Sequence, residues 1–213
     1  MNSQNVLESL QDYSTYGVAT ALNSVFHESE RALSVITPRD LGYIVDEIKA
    51  ADLIITCSDG KGDVLSQCCA IRLQALGLHC QTLKSGAVVQ PGEQALVIGW
   101  FTAEPNDSIL KTLLNLKRRG ARIVTFLTNV DTPCARVSDH VVLISSGRSD
   151  SKGTKPMWRE CSFERASLIA LDAMMLVISE ASASSGAPRD RDLLQADKDV
   201  QFKRALGATA GRG

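Results

Sequence analysis

Five short, mostly apolar runs separated by segments of helical character constrain this chain more than any other feature. They are Leu53-Ile54-Ile55-Thr56-Cys57, the weaker His79 to Leu83, Ala95-Leu96-Val97-Ile98-Gly99, Arg122 to Leu127, and His140 to Ile144. Near-continuous apolar runs suit strands buried on both faces, which is the condition of a parallel sheet. Helical segments between such strands imply right-handed crossover units, with helices covering both faces of the sheet. A chain of 213 residues is long enough for one such domain with a sizeable core.

The helical segments have readable punctuation. Thr37-Pro38-Arg39-Asp40 reads as a cap with proline in the first turn, opening a helix from about Arg39 to Ala50. Gly77 stops the helix after the first strand, whose apolar positions are Val64, Leu65, Cys68, Cys69, Ile71, Leu73 and Leu76. Pro91-Gly92 turns the chain into the third strand. Asn106 or Asp107 caps a helix over Ser108 to Arg119, and a short helix starts near Thr132-Pro133. A polar loop from Ser145 to Lys155 leads to a last long helix, about Phe163 to Ala181. Before the first strand, Val6, Leu10, Val18, Leu22, Val25 and Phe26 fall at helical spacing, with a break expected near Gly17. The expected organisation is a helical arm over 1–50, an α/β domain over 51–181 and a polar tail over 182–213. Within that tail Leu193 to Leu206 has the pattern of a charged amphipathic helix.

Composition narrows the function classes. The chain is 44% hydrophobic and 22% charged, the balance of an ordered globular protein. Lys plus Arg number 23 and Asp plus Glu 24, a net charge of −1, so no global field draws in nucleic acid or an acidic membrane. No apolar stretch approaches the roughly 18 residues of a membrane helix; Leu168 to Ile178 is short and interrupted by Asp172. Met1 to Leu10 lacks the basic and apolar regions of a signal peptide, and the expectation is a soluble, cytoplasmic protein. The six cysteines form no C-x-x-C pair and do not combine with His27, His79 or His140 at zinc-ligand spacing. They read as small buried hydrophobes, with no metal and no other cofactor expected.

In an open parallel sheet, ligands bind beyond the carboxyl ends of the strands. Three turns lie there. Ser58-Asp59-Gly60-Lys61-Gly62-Asp63 offers glycine amides, a lysine and the positive end of the next helix, and reads equally as a plain tight turn or an anion site. It matches neither the P-loop nor the dinucleotide spacing. Gly99 to Asn106 carries the donors Thr102 and Asn106 beside the bulky Trp100 and Phe101, which reads as a loop with a possible stacking wall. Thr128 to Thr132 reads as a cap for the short helix. Glu164, in Cys161-Ser162-Phe163-Glu164-Arg165, reads by itself as a capping or dipole residue.

In order and spacing these segments resemble the SIS (sugar isomerase) domain family, and within it the 6-phospho-3-hexuloisomerase-like proteins. The likeness runs from about Ala51 to Glu180. It is carried by Ala70-Ile71-Arg72-Leu73-Gln74-Ala75-Leu76-Gly77 and by Gly120-Ala121-Arg122-Ile123-Val124. Asp131-Thr132-Pro133-Cys134-Ala135 followed by Ser138-Asp139-His140-Val141-Val142 is similar to the family's "D-S-P-L-A…A-D-x-V-L" segment. Ser162-Phe163-Glu164 with Leu168-Ile169-Ala170-Leu171-Asp172-Ala173 is similar to its "G-T-x-F-E…FLDA" helix.

The resemblance implies a three-layer, flavodoxin-like SIS fold with a five-stranded parallel sheet and an N-terminal helical arm. It also implies a phosphosugar ligand, no metal or nucleotide, and a homodimer or homotetramer with sites at subunit contacts. The family's catalytic glutamate falls on Glu164, and its first-turn sugar-binding residues fall on Ser58, Gly60, Lys61 and Gly62. The chain departs from the family at the phosphate loop. Where the family reads "S-G-S-G-E-T", this chain has Phe101-Thr102-Ala103-Glu104-Pro105-Asn106. Three readings remain open. One is an aldose–ketose isomerase of a sugar phosphate, with Glu164 as base and Lys61, Thr102 and Asn106 anchoring the anionic end. Another is a non-catalytic SIS-fold protein that binds a sugar derivative or regulates through its oligomer. The third is an isomerase of an unphosphorylated or differently charged substrate, with Trp100 and Phe101 as a stacking wall.

Overall fold

The computed structural model describes residues 15–83, 94–145 and 161–184. The apolar runs form strands and the segments between them form helices. In chain order these are α1 (Thr15–Leu33), α2 (Pro38–Ala50), β1 (Leu53–Ser58), α3 (Asp63–Ala75), β2 (Cys80–Thr82), β3 (Ala95–Phe101), α4 (Asp107–Arg118), β4 (Arg122–Leu127), α5 (Pro133–Val137), β5 (His140–Leu143) and α6 (Ser162–Ser184). A 3₁₀ turn at Gly60–Gly62 joins β1 to α3. Val6 and Leu10, the Pro91-Gly92 turn, the loop beyond Ser145 to Lys155 and the segment Leu193 to Leu206 lie outside the described residues.

All neighbouring strands run parallel in the order β2-β1-β3-β4-β5, the flavodoxin-like sheet that the resemblance implies. Alternation along each strand divides the core in two. Leu96, Ile98 and Trp100 of β3 pack with Ile44 and Ile48 of α2, Leu65 and Leu73 of α3, and Phe163 and Ala170 of α6. Val97 and Phe101 face the other way, onto Ile109, Leu113 and Leu116 of α4 and Cys134 of α5. Each fully buried Leu, Ile or Phe contributes about 1.5–3 kcal/mol relative to exposure, so both layers are tied firmly to the sheet.

One expectation needs correction. Strand β3 does not end at Gly99. It continues through Trp100 and Phe101, which are 1% and 2% exposed and therefore belong to the core rather than to a loop wall. Trp100 stacks on Phe126 with ring centroids 5.4 Å apart, and Gly99 stays in the strand because the Phe101 ring occupies the space a β-carbon would need, 2.6 Å from Cε2. Gly17 lies in the first turn of α1 as described, and the residues before Thr15, on which the expected break also depends, lie outside the described residues. Of the apolar positions of α3, Val64 and Ile71 are 70% and 65% exposed, whereas Leu65, Cys69 and Leu73 are buried. The cysteines largely follow expectation: Cys57, Cys69, Cys80 and Cys134 are buried, Cys68 is half-buried and Cys161 exposed. Among the described residues no helix is long and apolar enough to cross a membrane.

Candidate functional site

Strand order reverses between β1 and β3, which pair with Cys57 opposite Gly99 and Ser58 opposite Trp100. Beyond their carboxyl ends opens a cavity of about 410 Å³, walled by the turn after β1, the end of β2 and the start of α4. Such a crevice is the expected ligand position in a doubly wound sheet.

Its polar wall is built locally. Gly60 adopts φ of 63°, a backbone that favours glycine, and lets the chain turn sharply out of β1. At Gly62 the turn presses against Ser58 and the Trp100 carbonyl. The Ser58 hydroxyl donates to Asp63 Oδ1 at 2.8 Å, and the Ser66 hydroxyl donates to the Asp63 carbonyl at 3.0 Å. On the opposite wall Asn106 caps α4, its Oδ1 accepting from the Ile109 amide at 3.1 Å. Asp59 bridges the two walls. Its Oδ2 accepts from the Asn106 backbone amide at 2.9 Å and from the Asn106 side-chain amide at 3.0 Å.

Of the residues expected from the sequence, Ser58 and Asn106 line this cavity. Gly60 and Gly62 form the turn beside it; the side chain of Lys61 lies outside the described residues. Thr102 is exposed, its carbonyl accepting from the Thr128 hydroxyl at 2.9 Å, and it is not part of the described lining. The neighbouring Glu104 turns away from the cavity and accepts from the Cys134 amide at 3.1 Å, where it helps cap α5. Asp59, Ser66 and Thr82 also line the cavity, though the sequence did not single them out as ligand residues. Ser66 follows Asp63 by three residues, one helical turn, which is the only local sign of its position.

Glu164 sits in the first turn of α6, away from the described cavity lining. Helix α6 lies along α3, with Asp172 paired to Arg72 and Met175 and Ser179 beside Ala75 and Leu76. The two helices therefore run together from the carboxyl edge of the sheet. Both Glu164 carboxylate oxygens are buried and accept no hydrogen bond. Buried polar atoms are normally paired, so an unpaired carboxylate is a group kept in an environment that leaves its lone pairs available.

The cavity thiol is chemically quiet. Burial, with Cys134 beside it, holds the Cys57 thiol far above its ordinary range, and burial next to Glu104 pushes Cys134 up to about 12. Both shifts favour the neutral thiol, the form of a buried structural cysteine. Among the described residues no group of three or more His, Cys, Asp or Glu side chains could hold a metal ion.

No family model matches the chain. A 3-hexulose-6-phosphate isomerase of Mycobacterium gastri is 23% identical over 139 residues, 64% of this chain and 69% of the relative. The sugar isomerase domain of an RpiR transcription factor from Sphaerobacter thermophilus matches with a TM-score of 0.65 at 16% identity, covering 85% of this chain and 97% of that one. The NanR protein of Vibrio vulnificus, solved in complex with ManNAc-6P, matches with a TM-score of 0.66 at 14% identity, covering 93% and 73%. The chain thus has the fold of the RpiR sugar isomerase domain, and in sequence it is similar to a 3-hexulose-6-phosphate isomerase.

Proposed function

We propose that this protein binds a sugar phosphate at the β1–β3 cavity and interconverts its aldose and ketose forms, with Glu164 as the proton-transferring base. The observation that carries this reading is the Glu164 carboxylate at the carboxyl edge, with both oxygens buried and neither accepting a hydrogen bond. A single carboxylate suits the chemistry. It takes the proton alpha to the carbonyl, an enediolate forms, and the same group returns the proton to the neighbouring carbon. The hydroxyls of Ser58 and Ser66 would meet the sugar's own hydroxyls. Lys61, Asn106 and the Gly60 and Gly62 amides would hold its anionic end, with Thr102, outside the described lining, left to the rim.

The same reading includes self-association as a homodimer or homotetramer, which would bring Glu164 to a partner's cavity. Exposed apolar side chains on α1, α3 and α6 support it: Val18, Leu22 and Phe26, then Val64 and Ile71, then Ile169 and Leu176.

A second reading, a regulatory binder without catalysis, is favoured by one observation. The Asn106 donors are already taken by Asp59, so a phosphate has fewer free donors at this site. Thermal-shift screening against aldose and ketose phosphates, followed by isomerase assays on any hit, separates the two. Under the isomerase reading Glu164→Gln abolishes turnover while retaining the ligand-induced shift. Turnover that survives the substitution removes Glu164 from the mechanism, and a shift without turnover in the parent protein establishes the binder.

A further inference from the structure

We propose that Asp59 sets the ligand specificity of the cavity by competing with a ligand's phosphate for the donors of Asn106. The inference rests on reading the cavity as a sugar-phosphate site, and it deepens that reading by assigning a residue that discriminates against the phosphate group.

The geometry is that of an anion already in place. A single oxygen, Asp59 Oδ2, accepts from both the backbone and the side-chain amide of Asn106, at 2.9 and 3.0 Å. Asn106 is the cap of the twelve-residue helix α4, where unpaired amides and the helix dipole favour negative charge. Its Oδ1 is engaged by the Ile109 amide, so Asp59 occupies the backbone N–H and one of the two side-chain N–H donors of Asn106. The other carboxylate of this loop, Glu104, is committed to α5 and does not compete.

A phosphomonoester of charge about −2 must therefore either displace the Asp59 carboxylate or sit close beside it, at a Coulombic cost. A neutral sugar meets no such penalty, since its hydroxyls can donate to a carboxylate. Gly60, next to Asp59, has the conformational latitude of glycine, whereas Gly62 is fixed against Ser58 and Trp100. Asp59 thus acts as an internal stand-in for the ligand's anion, and its release is part of the cost of binding a phosphosugar.

The test compares the parent protein with Asp59→Asn and Asp59→Ala by calorimetric titration against hexose and pentose phosphates, the matching free sugars and inorganic phosphate. Unliganded melting temperatures identify a variant that has not folded, in which case the isosteric Asp59→Asn carries the comparison. The expected result is that both variants bind phosphosugars and inorganic phosphate about tenfold tighter, the scale of removing one nearby like charge at a half-exposed site, with free-sugar affinity unchanged. If the parent binds a phosphosugar and the variants bind it no tighter, the competition is refuted while the sugar-phosphate reading stands. An equal gain for free sugars refutes charge discrimination. If neither parent nor variants bind any phosphosugar, both readings fall together.

Discussion

At Gly62 a β-carbon would lie 2.9 Å from both the Ser58 β-carbon and the Trp100 carbonyl oxygen, two groups fixed by the central sheet. Gly62→Ala is therefore expected to destabilise the protein by about 1–3 kcal/mol, the usual scale of overpacking, as read from urea unfolding. Gly42 gives the opposite sign. It lies exposed within α2 with nothing within 4 Å of its β-carbon position, so Gly42→Ala should stabilise by roughly 0.5–1 kcal/mol. The glycines of the first turn were legible as places where backbone approaches something, but what they approach was not. Gly62 meets the carbonyl of Trp100, a residue on another strand. Asp59 is the same case: its partner Asn106 lies 47 positions along the chain, and no local pattern records that contact.

At the scale of elements, α2 shows how far punctuation can be read. Thr37 and Asp40 form a reciprocal cap, each side chain bonding the other's backbone amide, at 3.2 Å and 3.0 Å. Thr37→Ala should cost about 1 kcal/mol in thermal or denaturant unfolding. Burial opposes ionisation of Asp40, but the Thr37 hydroxyl and amide, with His140 beside it, hold its carboxyl below the ordinary value of 3.8. Because the folded value is the lower one, the stabilisation is complete above the unfolded pKa and is lost as pH falls through the folded value. The melting temperature of the parent should thus exceed that of Asp40→Asn by a constant margin near neutral pH, and the margin should shrink below 3.8. The caps at Thr37, Asn106 and Thr132 were all visible because capping is a short-range affair. The end of β3 was not, since Gly99 looks like a breaker until the Phe101 ring is seen to fill its empty side. Likewise Val64 and Ile71 share a helix with true core residues, and only the packing of α3 decides which face is inside.

At the scale of the molecule, the exposed stripe Val18, Leu22 and Phe26 stands out, 52%, 53% and 69% accessible on successive turns of α1. Under the self-association reading, Leu22→Ser with Phe26→Ser should shift sedimentation toward the single chain without lowering helix content. An unchanged sedimentation coefficient would show that α1 takes no part in assembly. The sheet order was legible as a class because parallel strands advertise themselves as apolar runs. The pairing of β1 with β3 was implied by the family resemblance alone.

That pairing has a kinetic consequence. Strands β3, β4 and β5 are neighbours in both sequence and space, so this half of the sheet closes through single helical crossovers, α4 and α5. Strand β1 reaches β3 only after the chain has passed through α3 and β2, a longer and entropically slower closure. The cavity straddles that seam. Native-state hydrogen exchange should therefore find a cooperative unit that detaches β1 and β2 from the rest before global unfolding. A ligand that bridges Ser58 and Asn106 would act as a rivet across the seam, slowing exchange in β1 and β2 far more than in β4.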